Sequence, residues 1–193
     1  MNPDESVQKQ SSWHIAREWT QTIIIALIIA LPIRYFVAEP FIVSGASMDP
    51  TFASGQFLVV DRLSYRIGEP KRNDVIVFKY PNNPSIYYIK RIIGLPDDII
   101  SVIDGIITIT NEENPDGFVL NQSYLASGHI AHDTFTIRLK PSEYFVMGDN
   151  RTQSSDSRVW GTLDRNLIVG RPFLRLLPIT TISFWPGEYS NDH

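Results

Sequence analysis

Two side chains in this sequence, a serine and a lysine, stand in frames that suit joint chemistry. Ser47 lies in Ser44-Gly45-Ala46-Ser47-Met48-Asp49-Pro50-Thr51, and Lys90 lies in Tyr88-Ile89-Lys90-Arg91-Ile92-Ile93-Gly94-Leu95-Pro96. A hydroxyl is a weak nucleophile until a base removes its proton. Lysine becomes such a base when burial strips water from its ammonium, because desolvation disfavours the charged form. Moving a lysine pKa from about 10.4 to about 8 takes roughly 3 kcal/mol of differential stabilisation, which an apolar site among residues like Ile89, Ile92 and Ile93 can supply. An arginine cannot be deprotonated in this way, so Arg91 is expected to form a salt bridge or face solvent. The pair points to acyl transfer by a Ser-Lys hydrolase. Serines beside glycine and proline more often satisfy a tight turn, and lysines more often sit in water.

Composition narrows the field. The 193 residues are 43% hydrophobic and 20% charged, enough for one substantial core. A formal charge of −4 and the absence of a basic run argue against a nucleic-acid binder. The chain has no cysteine, which removes a disulfide scaffold, a thiolate zinc site and a cysteine nucleophile. His129 and His132 sit in a loop-like stretch without a carboxylate-rich frame, so neither a metal nor a cofactor is expected. Ser47 also lacks the Gly-x-Ser-x-Gly elbow of a serine-histidine-aspartate triad.

The elements that must position the pair fall into two regions. After an N-terminal tail over 1–18, an apolar run from Ile23 to Ile33 is apolar all round, unlike an amphipathic core helix. Trp19 and Tyr35 suit the two membrane interfaces and Arg34 can snorkel, so 19–37 is expected to be an uncleaved transmembrane anchor; no small-x-small site follows it. Beyond it, 38–193 reads as mainly β and antiparallel. Phe57 to Val60, Asp74 to Phe78 and Tyr87 to Ile89 are short β-branched and aromatic runs between Gly and Pro breakers. Ile99 to Ile103, Asp104-Gly105 and Ile106 to Ile109 form a hairpin signal, because Asp-Gly supplies the positive φ angles of a two-residue turn. Residues 110–138 are polar and irregular, and 172–187 suit either closing strands or an apolar surface facing a membrane.

The blocks 39–52, 74–80, 88–98 and 148–161, in this order behind an apolar segment, resemble the boxes of bacterial type I signal peptidases, which remove signal peptides from exported proteins. The resemblance implies an antiparallel-sheet catalytic domain with one N-terminal transmembrane helix, and a variable insertion over 110–138. It implies Ser47 as nucleophile, Lys90 as base and Ser154 as a hydroxyl that orients the lysine. It further implies that Asp149, Asp156 and Arg158 hold the loops of the site. By the same resemblance Phe41, Val43, Leu58, Val60 and Ile89 line pockets for small side chains at the −1 and −3 positions of the substrate. The partners implied are signal-peptide-bearing preproteins and the lipid bilayer, with the enzyme monomeric in the bacterial plasma membrane and 38–193 on the export side.

Four positions depart from the family pattern. Gly45 stands where some members carry a serine that donates to the oxyanion, so a backbone donor near Gly45 or a water is expected beside the Ser47 N–H. Thr152-Gln153 replaces the commoner Asp-Asn, and Asp97 replaces a glycine before Asp98. Two other readings of the chain are a membrane-tethered β-rich binding protein with a degenerate site and a self-cleaving repressor-type Ser-Lys peptidase, the latter disfavoured by the anchor.

Overall fold

The computed structural model describes residues 3–32 and 38–189. The chain divides into two units, 1–38 and 39–193. In the first, helix α1 spans Pro3–Pro32. It begins well ahead of Trp19, since the tail is rich in Glu, Gln, Lys, Ala and Arg, good helix formers. Among the described residues no helix is long and apolar enough to cross a membrane. The last five positions of the expected 19–37 anchor lie outside the described residues.

Among the described residues the second unit holds twelve strands: β1 (Ala38–Ile42), β2 (Phe57–Asp61), β3 (Val75–Tyr80), β4 (Asn83–Gly94), β5 (Ile99–Ile103), β6 (Ile106–Thr110), β7 (Phe118–Val119), β8 (Phe135–Arg138), β9 (Glu143–Met147), β10 (Leu163–Asp164), β11 (Ile168–Leu177) and β12 (Ser183–Phe184). Two one-turn helices, α2 (Ser64–Ile67) and α3 (Ser157–Trp160), interrupt them. One sheet runs β1-β2-β11-β3-β4-β9-β10 with β12 added to β11, and a second runs β7-β6-β5-β8. From β2 onward every pairing is antiparallel. This is the mainly β, antiparallel architecture that the strand pattern predicts.

Local chemistry accounts for the turns that set this register. Asp104 and Gly105 have φ of 51° and 79°, so Ile103 faces Ile106 across a two-residue turn and β5 and β6 pair without a slip. Asp97 has φ 68°, the left-handed region in which aspartate substitutes for glycine at modest cost.

Packing ties the two sheets together and leaves a third cluster under the Ser47 loop. Ile93, Phe145 and Met147 of the larger sheet bury against Ile100, Val102, Ile107 and Ile109 of the smaller one. Ile76, Phe78, Ile92 and Val146 form a second cluster with Tyr65 and Leu163. Val43 before Ser47 and Met48 and Phe52 after it bury together with Leu58 and Val75. Fully burying side chains of this size contributes on the order of 1.5–3 kcal/mol each, so the turn carrying Ser47 is anchored on both sides. Residues 110–138 are less irregular than expected, since they contain β7 and β8, and 172–187 form most of β11 together with β12.

Candidate active site

Ser47 and Lys90, 43 positions apart, meet: Lys90 Nζ lies 2.7 Å from Ser47 Oγ. Lys90 also donates to the carbonyl of Ile89 at 2.9 Å. Strand alternation sends Lys90 and Arg91 of β4 to different partners. The Lys90 side chain is almost wholly buried, and burial pushes its pKa down to about 8 against the opposing pull of the Asp156 and Asp149 carboxylates. A substantial neutral fraction therefore exists near pH 8. In that state the Ser47 hydroxyl donates to the amine. Among the described residues the Ser47 N–H donates to no acceptor, which leaves it available to an incoming oxygen.

The 148–158 segment is strapped over this pair. A Cβ on Gly148 would collide with the Ser47 carbonyl and the Ser154 hydroxyl, so only glycine permits the close approach. Asn150 N–H donates to the Ser47 carbonyl at 3.0 Å. Asp149 accepts from Arg91 at 2.8 and 2.7 Å and from Thr51 at 2.6 Å, joining three of the sequence blocks at one carboxylate. Arg91 is thus a buried ion-pair residue, with Tyr124 4.1 Å from its guanidinium. Asp156 accepts from the Gly148 N–H and from Arg158, which also reaches Asp133 and the Arg151 carbonyl. Burial alone would raise the Asp156 carboxyl, but the hydrogen bonds and charge of Arg158 outweigh it and hold the group below its ordinary range.

Two expectations need adjustment. Ser154 makes no hydrogen bond to Lys90; its hydroxyl is buried without a well-formed partner, close enough to Asp156 to favour the anion. Val60 does not face the site cavity. A cavity of about 280 Å³ opens beside Ser47 and Lys90, and Phe41, Val43, Leu58 and Ile89 line it together with Val77 and Tyr87. Val60 points the same way as Leu58 but sits about 6.6 Å further along β2, inside the core. Gly45 lines the cavity with φ 94°, and its N–H makes only a long contact, 3.4 Å, to the Ser54 hydroxyl. Gln153 and Ser155, from the last block, also line it.

Residues unanticipated by motif reading surround the site. Tyr124 and Arg151 are joined at 3.2 Å, and His129 donates from Nδ1 to the Asp49 carbonyl two residues from Ser47. His132 instead pairs with Asp104. The two histidines thus serve separate contacts, and no metal-holding cluster of His, Cys, Asp or Glu occurs among the described residues.

An antiparallel β scaffold that presses a serine hydroxyl against a buried amine beside an apolar cavity has the layout of a hydrolytic site. The profile of the family described as signal peptidase, peptidase S26, matches residues 16–177. Signal peptidase I of Bacillus licheniformis is 33% identical over 186 residues, covering 94% of this chain and 98% of its own length. Probable signal peptidase I-1 of Synechocystis sp. is 35% identical over 175 residues, covering 87% and 86%. A crystal structure of a signal peptidase I from Enterococcus faecalis V583 aligns with TM-score 0.46 and 28% identity over 54% of this chain and 97% of its own. The chain belongs to the signal peptidase, peptidase S26 family, and is a serine peptidase of that type.

Proposed function

We propose that this protein removes N-terminal signal peptides from exported preproteins by a Ser-Lys mechanism, cutting after small residues at −1 and −3. The observation that carries the reading is the 2.7 Å contact between Ser47 Oγ and the buried, pKa-lowered Lys90 amine at the edge of an apolar cavity. Neutral Lys90 accepts the Ser47 proton as Oγ attacks the carbonyl at −1. The Ser47 N–H receives the developing oxyanion, with a donor at Gly45 or a water beside it. Lys90 then passes the proton to the leaving amine, and a water deprotonated by the same lysine releases the acyl group.

Phe41, Val43, Leu58 and Ile89 suit alanine-sized side chains by excluding larger ones. Ser154, with a buried and under-used hydroxyl, orients the lysine when the substrate closes the site. Asp149, Asp156 and Arg158 hold the loops. In this reading 19–37 anchors the chain as a single pass in the bacterial plasma membrane, with 38–193 on the export side as a monomer acting on bilayer-held substrates.

Incubating the detergent-solubilised full chain with a preprotein bearing an Ala-x-Ala site tests the proposal. Cleavage after that site by wild type, and none by Ser47→Ala, Lys90→Ala or Lys90→Arg, is the expected result. Continued cutting by Ser47→Ala would remove Ser47 as the nucleophile, and an inert wild type would favour a tethered binding protein.

A further inference from the structure

A second cleft of about 280 Å³ shares no lining residue with the cavity beside Ser47. Four cations line it: Arg62 after β2, Arg66 in α2, Lys79 near the end of β3, and Arg165 before β11. No carboxylate is among its lining residues. This concentration is unexpected in a chain of formal charge −4. Only part of the positive charge is compensated. Arg62 faces Glu39 at 3.3 Å and Arg165 faces Glu69 at 3.0 Å, while Arg66 and Lys79 have no ion pair among the described residues.

The acids close by in sequence are committed elsewhere. Asp61 accepts from the Leu63 and Ser64 N–H groups, and Asp164 accepts from the Asn166 N–H. Arg66 and Lys79, uncompensated beside two paired arginines, leave the concavity with excess positive charge, which an anion between them offsets. The exposed Leu63 and Ile67 flank Arg66, so the basic rim continues into apolar surface, a pairing suited to a headgroup joined to acyl chains. The volume admits one phosphate group with a small substituent, not a polymer.

We infer that the cleft between Arg62, Arg66, Lys79 and Arg165 binds a phosphate-bearing anion, either the headgroup of an anionic phospholipid or a soluble phosphate. This site stands independently of the Ser47–Lys90 chemistry. The two unpaired cations contribute most of its affinity, and the two paired arginines orient the phosphate oxygens. Lys79 pairs across strands with Tyr87, and Val77 lies two residues before it on β3; both Tyr87 and Val77 line the cavity beside Ser47, so the two recesses are neighbours.

The full chain in neutral detergent, titrated calorimetrically with inorganic phosphate, with phosphatidylglycerol in mixed micelles and with phosphatidylcholine in mixed micelles, tests the site. Wild type is expected to bind at least one of the first two and to ignore the zwitterionic lipid. The double substitution Arg66→Gln, Lys79→Gln is expected to weaken binding on the order of 30-fold. Arg138→Gln, Lys140→Gln removes the same charge from outside the cleft and is expected to bind as wild type. Phosphatidylglycerol bound at least ten-fold more tightly than phosphate assigns the cleft to lipid, and similar affinities assign it to a soluble anion. Failure of wild type to bind either probe, retention of affinity by the Arg66, Lys79 double variant, or equal loss in the Arg138, Lys140 control overturns the inference.

Discussion

Replacing Lys90 by methionine should abolish cleavage and, at neutral pH, make the protein more stable. Lys90 is pushed from 10.5 in the ordinary state down to about 8 in the fold, chiefly by burial. At pH 7 the group is mostly protonated in both states, so its desolvation destabilises the folded protein by about 3 kcal/mol. Methionine fills similar space without charge but gives up the contacts to Ser47 and the Ile89 carbonyl, worth about 1 kcal/mol each. The variant should therefore be about 1 kcal/mol more stable at pH 7.

The sign changes with pH. Between about 8 and 10.5 the unfolded chain holds more protons at this site than the folded one, so wild-type stability rises with pH and recovers about 2.5 kcal/mol from pH 7 to pH 10. At pH 10 wild type should then be the more stable by about 1 kcal/mol. Groups other than Lys90 titrate alike in both proteins and cancel in the difference. Denaturant unfolding of both chains at pH 7, 8.5 and 10, followed by tryptophan fluorescence, measures it. For a chain of this size the corresponding swing in melting temperature is about 5–10 °C. A stability difference that stays constant across that range would refute the reading of Lys90 as a desolvated amine.

Other consequences can be measured separately. Activity per enzyme should rise with pH, since about a tenth of Lys90 is neutral at pH 7 and about nine-tenths at pH 9, and a flat kcat/KM profile would contradict this. Asp149→Asn leaves the Arg91 guanidinium buried without its counter-charge and should cost about 3–5 kcal/mol in denaturant unfolding. Ile89→Ala enlarges the cavity beside Ser47, so on the proposed function cleavage after valine relative to alanine at −1 should increase ten-fold or more; an unchanged ratio removes Ile89 from the proposed specificity pocket. Asp97→Gly relieves a left-handed backbone and should raise stability by up to about 1 kcal/mol, read as a higher melting temperature.

Much of the site was legible before the fold. The frames around Ser47, Lys90 and Asp149 to Arg158 nominate residues that the structure brings together, and four of the five expected pocket residues line the cavity. Val60 was misplaced because alternation tells which face a strand residue takes, not how far along the strand the cavity extends. Ser154 was expected against Lys90, yet it sits beside Asp156, since a loop's side-chain partners depend on backbone angles that motif order does not encode. Tyr124 and His129 went unsignalled: they lie in a stretch of turn-forming composition, and only its return against β4 and the Ser47 turn gives them partners.

Strand alternation, the Asp104-Gly105 turn and the identity of the serine and lysine are properties of a few adjacent residues, and the sequence alone determined them. The depressed pKa of Lys90, the buried Arg91–Asp149 pair and the four-cation cleft were decided by tertiary structure. Desolvation and Coulomb interaction sum over every atom within a few ångströms, and in this fold those atoms come from β2, β3, β4, β9 and the 148–158 loop, segments that only folding brings side by side.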